Sequence, residues 1–147
     1  SSDKKNWELQ KYKDKNRKSI LDGVPNILPS IITAQRIQEK ASMSGFDWKN
    51  IQSVWEKFNE EVYELKVAQS SGVQEKIQEE LGDLLFTIIN LSRFMNVSSE
   101  NALRESNKKF IHRFKLLEKK VKNMDKKVNE LSIDELNKIW EEVKILN

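Results

Sequence analysis

The chain has 147 residues, 33% of them charged and 37% hydrophobic, and a formal net charge of +3. That length fits one domain with a sizeable core, and four Gly and two Pro leave long helices few interruptions. The absence of Cys excludes a disulfide scaffold and Cys-based zinc sites, and a single His excludes a multi-His metal site and disfavours a Ser-His-Asp triad. There is no apolar run of about eighteen residues and no signal-peptide pattern, so no membrane span is expected and a cytoplasmic setting is. No GxxxxGK[ST] stretch occurs, which excludes a P-loop enzyme.

The net charge conceals a division. Residues 1–22 hold seven Lys/Arg against four acids, 55–83 hold eight acids against three Lys, and 108–127 hold nine Lys/Arg against two acids. An acidic site and a basic stretch suit a polyanion bridged by metal; the basic run alone would equally serve as a solvated helix face. No nucleic-acid partner is expected.

In chain order, residues 3–18 are charged with sparse apolar positions (Trp7, Leu9, Tyr12) and read as an exposed helix or arm. Pro25 and Pro29 bracket a loop, and Pro29 suits the first turn of a helix that runs to about Met43. Ser44-Gly45 ends it. Asp47 is expected to cap the next helix, which runs to about Gln69, with Phe46 and Trp48 packed as a staple at its start or touching a ligand. A further helix is predicted from about Val73 to Met95. Its middle, Leu84-Leu85-Phe86-Thr87-Ile88-Ile89, is apolar nearly all round, which marks a bundle centre or a subunit interface. Ser98 or Ser99 opens a helix to about Lys122, with Ala102, Leu103, Phe110, Phe114, Leu117 and Val121 on its stripe. Ser132-Ile133-Asp134-Glu135 is a capping box that opens a last helix through Leu146. No strand pattern or internal repeat is present.

The chemistry concentrates between Glu60 and Asp83. Glu61 lies on the edge of the apolar stripe 54-58-61-65, and Glu80 on the edge of 77-80-84-88. Carboxylates so placed are costly unless something positive meets them. Glu61 and Glu64, and likewise Glu80 and Asp83, are i, i+3 pairs sharing a helix face. The short turn Ser70-Ser71-Gly72 makes the two helices antiparallel neighbours, so the four carboxylates face one another. Oxygen-only ligands suit Mg²⁺, with Mn²⁺ as the alternative. Gly82 would let another backbone or a ligand approach closely. Lys57 and Lys76 fall on the carboxylate faces, at 57-61-64 and 76-80-83. They would pair with phosphate oxygens or offset the crowded acids. The alternative for the acids is a set of surface carboxylates in i, i+4 pairs.

The pattern Glu60-Glu61-Val62-Tyr63-Glu64 followed by Glu80-Leu81-Gly82-Asp83 resembles the MazG-type all-α nucleoside triphosphate pyrophosphohydrolases. So do Gly23-Val24-Pro25-Asn26-Ile27-Leu28-Pro29, Gly45-Phe46-Asp47-Trp48, Glu79 through Phe86, and Asn107 through Phe114. The likeness covers roughly residues 20 to 146, and the ordered set is far more specific than EExxE alone. It implies an all-α bundle of about five or six helices with an EExxE…ExxD metal site, with residues 1–22 a basic arm or linker and 23–147 the catalytic domain. A homodimer is expected, since the apolar central helix has more apolar faces than one helical layer covers. Similar sequence precedes the family's catalytic domain and joins it to another, which would make this chain the second half of a larger protein.

The implied reaction is Mg²⁺-dependent hydrolysis of a nucleoside triphosphate to the monophosphate and pyrophosphate. Glu61, Glu64, Glu80 and Asp83 would hold the metal. Glu60 and Glu79 would hold a second metal or orient the attacking water, or else be plain solvated acids. Lys109 and Arg113 match the family's phosphate-contacting segment, supported by Asn107, and Arg suits bidentate phosphate recognition. Trp140 packs beside Leu136, Ile139 and Val143, or stacks on the base. His112 reads as a surface residue. Two further classes stay open: a nucleotide-selective relative acting on dUTP, dCTP or phosphoribosyl-ATP, and a non-catalytic helical module that binds metal or nucleotide.

Overall fold

Backbone N–H and C=O groups left over at helix ends must find partners, and in this chain those partners set where each element stops. The computed structural model describes residues 3–7 and 18–146. Five long α-helices follow one another: α1 Ser30–Met43, α2 Ile51–Ser71, α3 Gln74–Phe94, α4 Ser99–Lys122 and α5 Ile133–Leu146. Short 3-10 turns occupy Ile20–Gly23 and Val128–Glu130, residues 3–7 are also helical, and no strand occurs among the described residues. The all-α expectation is met. Of the arm expected over 3–18, residues 8–17, which include Leu9 and Tyr12, lie outside the described residues. No helix is long and apolar enough to cross a membrane among the described residues.

Three of the helices end on one device. After α1, Gly45 N–H donates to Ser42 O and Phe46 N–H to Ala41 O. After α3, Asn96 N–H donates to Arg93 O and Val97 N–H to Ser92 O. After α4, Asp125 N–H donates to Lys122 O and Lys126 N–H to Val121 O. Each is a Schellman closure, which needs one left-handed residue. Gly45 (φ 101°), Asn96 (φ 58°) and Asp125 (φ 56°) supply it. Helix α2 runs to Ser71, past the expected end at Gln69, and stops at Gly72 with φ 71°. Pro29 stands just before α1, as its cap rather than in its first turn. Ser132 accepts from Glu135 N–H at 3.1 Å while Glu135 accepts from Ser132 N–H at 3.0 Å, so the predicted capping box opens α5.

The chain divides into two units, residues 1–100 and 101–147. In the first, α2 and α3 pack along their lengths across the connection Gly72-Val73, and α1 lies against α3. Val54, Ala68, Ile89 and Leu91 are its buried apolar residues. Gln38, Glu61, Thr87 and Asn90 are buried beside them, an unusual polar share that marks where the site lies. In the second unit, Leu117 and Val121 of α4 meet Leu131 and, from α5, Ile139 and Val143. Leu116, Val128, Leu136 and Trp140 pack around that cluster.

Three local expectations are corrected. Asp47 does not cap α2; Asn50 does, accepting from Ser53 N–H at 3.0 Å. Phe46 is no staple, being 82% exposed. A Cβ added at Gly82 would meet nothing within 4 Å, so no backbone approaches there among the described residues.

Candidate active site

Helix α2 carries Glu60, Glu61 and Glu64, and α3 carries Glu79, Glu80 and Asp83. Because the two helices are tightly connected neighbours, carboxylate oxygens converge between them. One oxygen each from Glu61, Glu80 and Asp83 lie within 4.8 Å of one another, and so do those of Glu60, Glu61 and Glu64. Glu61 belongs to both groups. It is 3% exposed, while Glu64 and Glu80 are half-buried and Glu60, Glu79 and Asp83 are exposed. Glu79 belongs to neither group.

The electrostatics are those of acids with too little countercharge. Lys57 Nζ lies 3.0 Å from Glu61 Oε1 and 3.3 Å from Glu60 Oε1. The hydrogen bond to Glu61 leads the effects that raise the Lys57 pKa. Lys57 thus offsets the acids directly, while Lys76 is exposed on α3. Glu80 is pushed up to about 7, first by desolvation, then by the hydrogen bond and charge of Glu64 and the charge of Glu61. Glu61 Oε2 and Glu80 Oε2 are both buried with no hydrogen-bond partner. A buried carboxylate oxygen without a donor is expensive, and a cation is the group that would satisfy two at once. The donor set is all oxygen. Ligand distances of about 2.1 Å put opposite oxygens of a Mg²⁺ shell about 4.2 Å apart, a span that the 4.8 Å limit on these oxygens accommodates. The residues present therefore fit a hard divalent cation.

Beside the acids opens a cavity of about 610 Å³ lined by Leu21, Ile37, Ala41, Phe46, Trp48 and Phe86 on its apolar walls. Lys57, Glu61 and Asp83 line it too, so cavity and carboxylates share a border. Its polar lining comes from Gln38, Asp47, Thr87, Asn90 and Arg93. Arg93 grips Asp47 through Nη1 (3.2 Å) and Nη2 (2.9 Å). Burial alone would raise the Asp47 pKa, but its bonds to Arg93, Ser42 and Trp48 N–H outweigh that and hold it below the usual carboxylate value. Sequence reading missed Arg93, Asn90 and Gln38. An arginine within an otherwise amphipathic helix gives no sign of a partner far along the chain.

Lys109, Arg113 and Trp140 belong to the second unit. Lys109 is exposed and Arg113 half-buried, with its Nε buried and unpartnered. The Trp140 ring lies 5.4 Å from that of Phe110, which stacks on Phe114 at 5.9 Å. Trp140 therefore packs in an aromatic row against the unit's core while keeping partial exposure. His112 is exposed.

Among the described residues, which form helices and turns but no strand, carboxylates of two neighbouring helices gather into groups that could hold a metal ion, with a buried oxygen lacking a donor on Glu61 and on Glu80, beside a cavity large enough for a small ligand. Residues 49–117 match the MazG nucleotide pyrophosphohydrolase domain, and the chain belongs to that family. It is 43% identical over 142 residues, 95% of its length, to the nucleoside triphosphate pyrophosphohydrolase/pyrophosphatase MazG of Thermotoga maritima. It is 34% identical over 143 residues, 94% of its length, to the nucleoside triphosphate pyrophosphohydrolase of Escherichia coli. The matches cover 54% of each relative, so the chain spans about half the length of these proteins.

Proposed function

We propose that this chain hydrolyses nucleoside triphosphates to nucleoside monophosphate and pyrophosphate with Mg²⁺, or Mn²⁺ in its place. The observation that carries the reading is the buried Glu61, one oxygen of which has no donor, at the junction of two carboxylate groups. Glu61, Glu64, Glu80 and Asp83 would hold the ion. When bound, it supplies countercharge for the phosphates and eases deprotonation of water. Glu60 and Glu79 flank the ligands and take the part of orienting the attacking water and receiving its proton. Lys57 and Lys76 stand on the same faces as counter-charges for phosphate oxygens. In the second unit, Lys109 and Arg113 are proposed phosphate contacts and Trp140 a base contact, on the strength of the family likeness. Catalysis on this reading is positioning and charge, with no covalent intermediate.

The reading includes a homodimer, supported by the exposed apolar row of α3, and a cytoplasmic setting, in keeping with a Cys-free composition. The test is product analysis. Incubation with Mg²⁺ and a panel of NTPs and dNTPs, resolved by ion exchange, is expected to give monophosphate and pyrophosphate. Accumulation of diphosphate and free phosphate rejects the reaction class.

A further inference from the structure

The polar lining of the cavity beside the acids is a hydrogen-bond network in which one amide nitrogen makes no bond among the described residues. A guanidinium has only donors and a backbone carbonyl only accepts, so each amide in this network has a forced orientation. Gln38 Nε2 donates to Phe86 O at 3.0 Å, and Gln38 Oε1 accepts from Arg93 Nε at 3.2 Å. Each end of Gln38 thus makes a bond, and the pair fixes which way its amide faces. Arg93 Nη1 and Nη2 hold Asp47, and Nη2 also donates to Asn90 Oδ1 at 2.7 Å. Thr87 gives its hydroxyl proton to Asp83 O at 2.9 Å. What remains is Asn90. Its Oδ1 is taken by Arg93, its Nδ2 makes no hydrogen bond among the described residues, and the residue is 8% exposed where it lines the cavity.

We propose that Asn90 is a specificity residue that donates from Nδ2 to an acceptor edge of the nucleobase, and that Arg93, clamped by Asp47 and Gln38, is the positioning residue that fixes the amide in this orientation. The proposal rests on the nucleotide reading above. Asp83, Thr87 and Asn90 are spaced i, i+4, i+7 on one face of α3, and all three line the cavity. At 1.5 Å per residue, Asn90 lies about 10 Å along the axis from the proposed metal ligand Asp83. Phosphates held at Asp83 and Glu61 would leave the sugar and base to extend toward Asn90, between the apolar walls formed by Trp48, Phe86 and Ile37. A fixed amide donor selects ring nitrogens and carbonyl oxygens of a base, and rejects an edge that presents only donors.

The test reads binding without turnover. Calorimetry in Mg²⁺ compares α,β-methylene triphosphates of the four common nucleosides with inorganic tripolyphosphate, which has no base. The parent is expected to bind at least one nucleotide analogue more tightly than tripolyphosphate. Asn90→Asp keeps an acceptor for Arg93, so the network survives, but turns an acceptor toward the base. Asn90→Ala removes the donor without adding charge. Both variants are expected to lose about tenfold or more in affinity for the preferred analogue, with tripolyphosphate affinity unchanged. Equal loss for both ligands, or no loss in either variant, overturns the assignment, as does a parent that binds analogue and tripolyphosphate alike. A chain that binds in this selective way but yields no pyrophosphate from true substrates sinks the reaction class and leaves the base contact standing.

Discussion

The carboxylate of Glu61 meets Lys57 Nζ at 3.0 Å through one oxygen and no donor through the other. Replacing it by Gln removes a buried charge, and Lys57 keeps Glu60 at 3.3 Å. In EDTA, Glu61→Gln is therefore expected to melt at or above the parent, by the equivalent of about 0.5–2 kcal/mol, while losing activity. Mg²⁺ at a hundredfold excess over its dissociation constant should stabilise the parent by about 2.7 kcal/mol, and the variant should lose most of that. A variant that melts well below the parent in EDTA makes Glu61 structural; an equal Mg²⁺ shift in both places the metal elsewhere. Glu80 adds a pH dependence. Its folded pKa of about 7 stands above the ordinary 4.5, so the folded state binds the extra proton. The associated stability is complete below 4.5 and lost as pH rises through 7. Metal-free melts from pH 5 to 8 should thus decline for the parent and decline less for Glu61→Gln, which removes one of the charges pressing on Glu80. Parallel curves would disconnect the two residues. Metal affinity should move the opposite way, strengthening toward pH 8 as the proton leaves.

Among elements, the connection between α1 and α2 depends on a contact from α3. Arg93 holds Asp47 with two hydrogen bonds across 46 residues of sequence, and the backbone between α1 and α2 carries Phe46 and Trp48 to the cavity wall. Asp47→Asn should cost about 1 kcal/mol at neutral pH, the scale of a well-formed, partly exposed ion pair. The Asp47 pKa is depressed in the fold, so its contribution is present above the unfolded value of 3.8 and lost as pH falls below it. The gap between parent and variant melting temperatures should accordingly close below about pH 4. A gap that persists there assigns the effect to packing. This contact also shows what could be read beforehand. The acid pairs on α2 and α3 were legible because i, i+3 spacing and a stripe edge are local properties, and Gly72 announced the tight turn. The cap was not. Asp47 has the right residue type, but a partner far along the chain claims its oxygens, and Asn50 takes the role. Likewise Gly45 advertised its helix end, whereas Asn96 and Asp125 close helices in left-handed geometry that their neighbours in sequence do not signal. Phe46 and Trp48 looked like packing residues because aromatics usually are; both are instead exposed where they line the cavity.

For the whole molecule the decisive quantity is the apolar surface left over. Along α3, Leu81 (45% exposed), Leu85 (53%) and Ile88 (39%) recur at i, i+4, i+7 on one face. On α2, Tyr63 and Val67 are also exposed, one turn apart. The sequence reading took the middle of α3, Leu84 to Ile89, as apolar nearly all round; the structure divides the helix into a buried face with Ile89 and Leu91 and this exposed row. Single exposed apolar residues are ordinary, but a continuous row on the helix that also carries Glu80 and Asp83 is the kind of surface on which the proposed homodimer would form. A two-fold dimer would apply the same row to both copies and cover it without a second kind of partner. Light scattering at micromolar concentration is expected to give twice the 17.3 kDa chain mass. Leu85→Lys should return that mass to a single chain, because burying an unpaired ammonium at the centre of an apolar contact is costly. Leu85 lines neither the carboxylate groups nor the cavity, so a fall in turnover that follows the loss of the dimer would tie assembly to the site rather than to local damage. A parent that scatters as a single chain with full activity sinks the dimer and leaves the row as exposed surface.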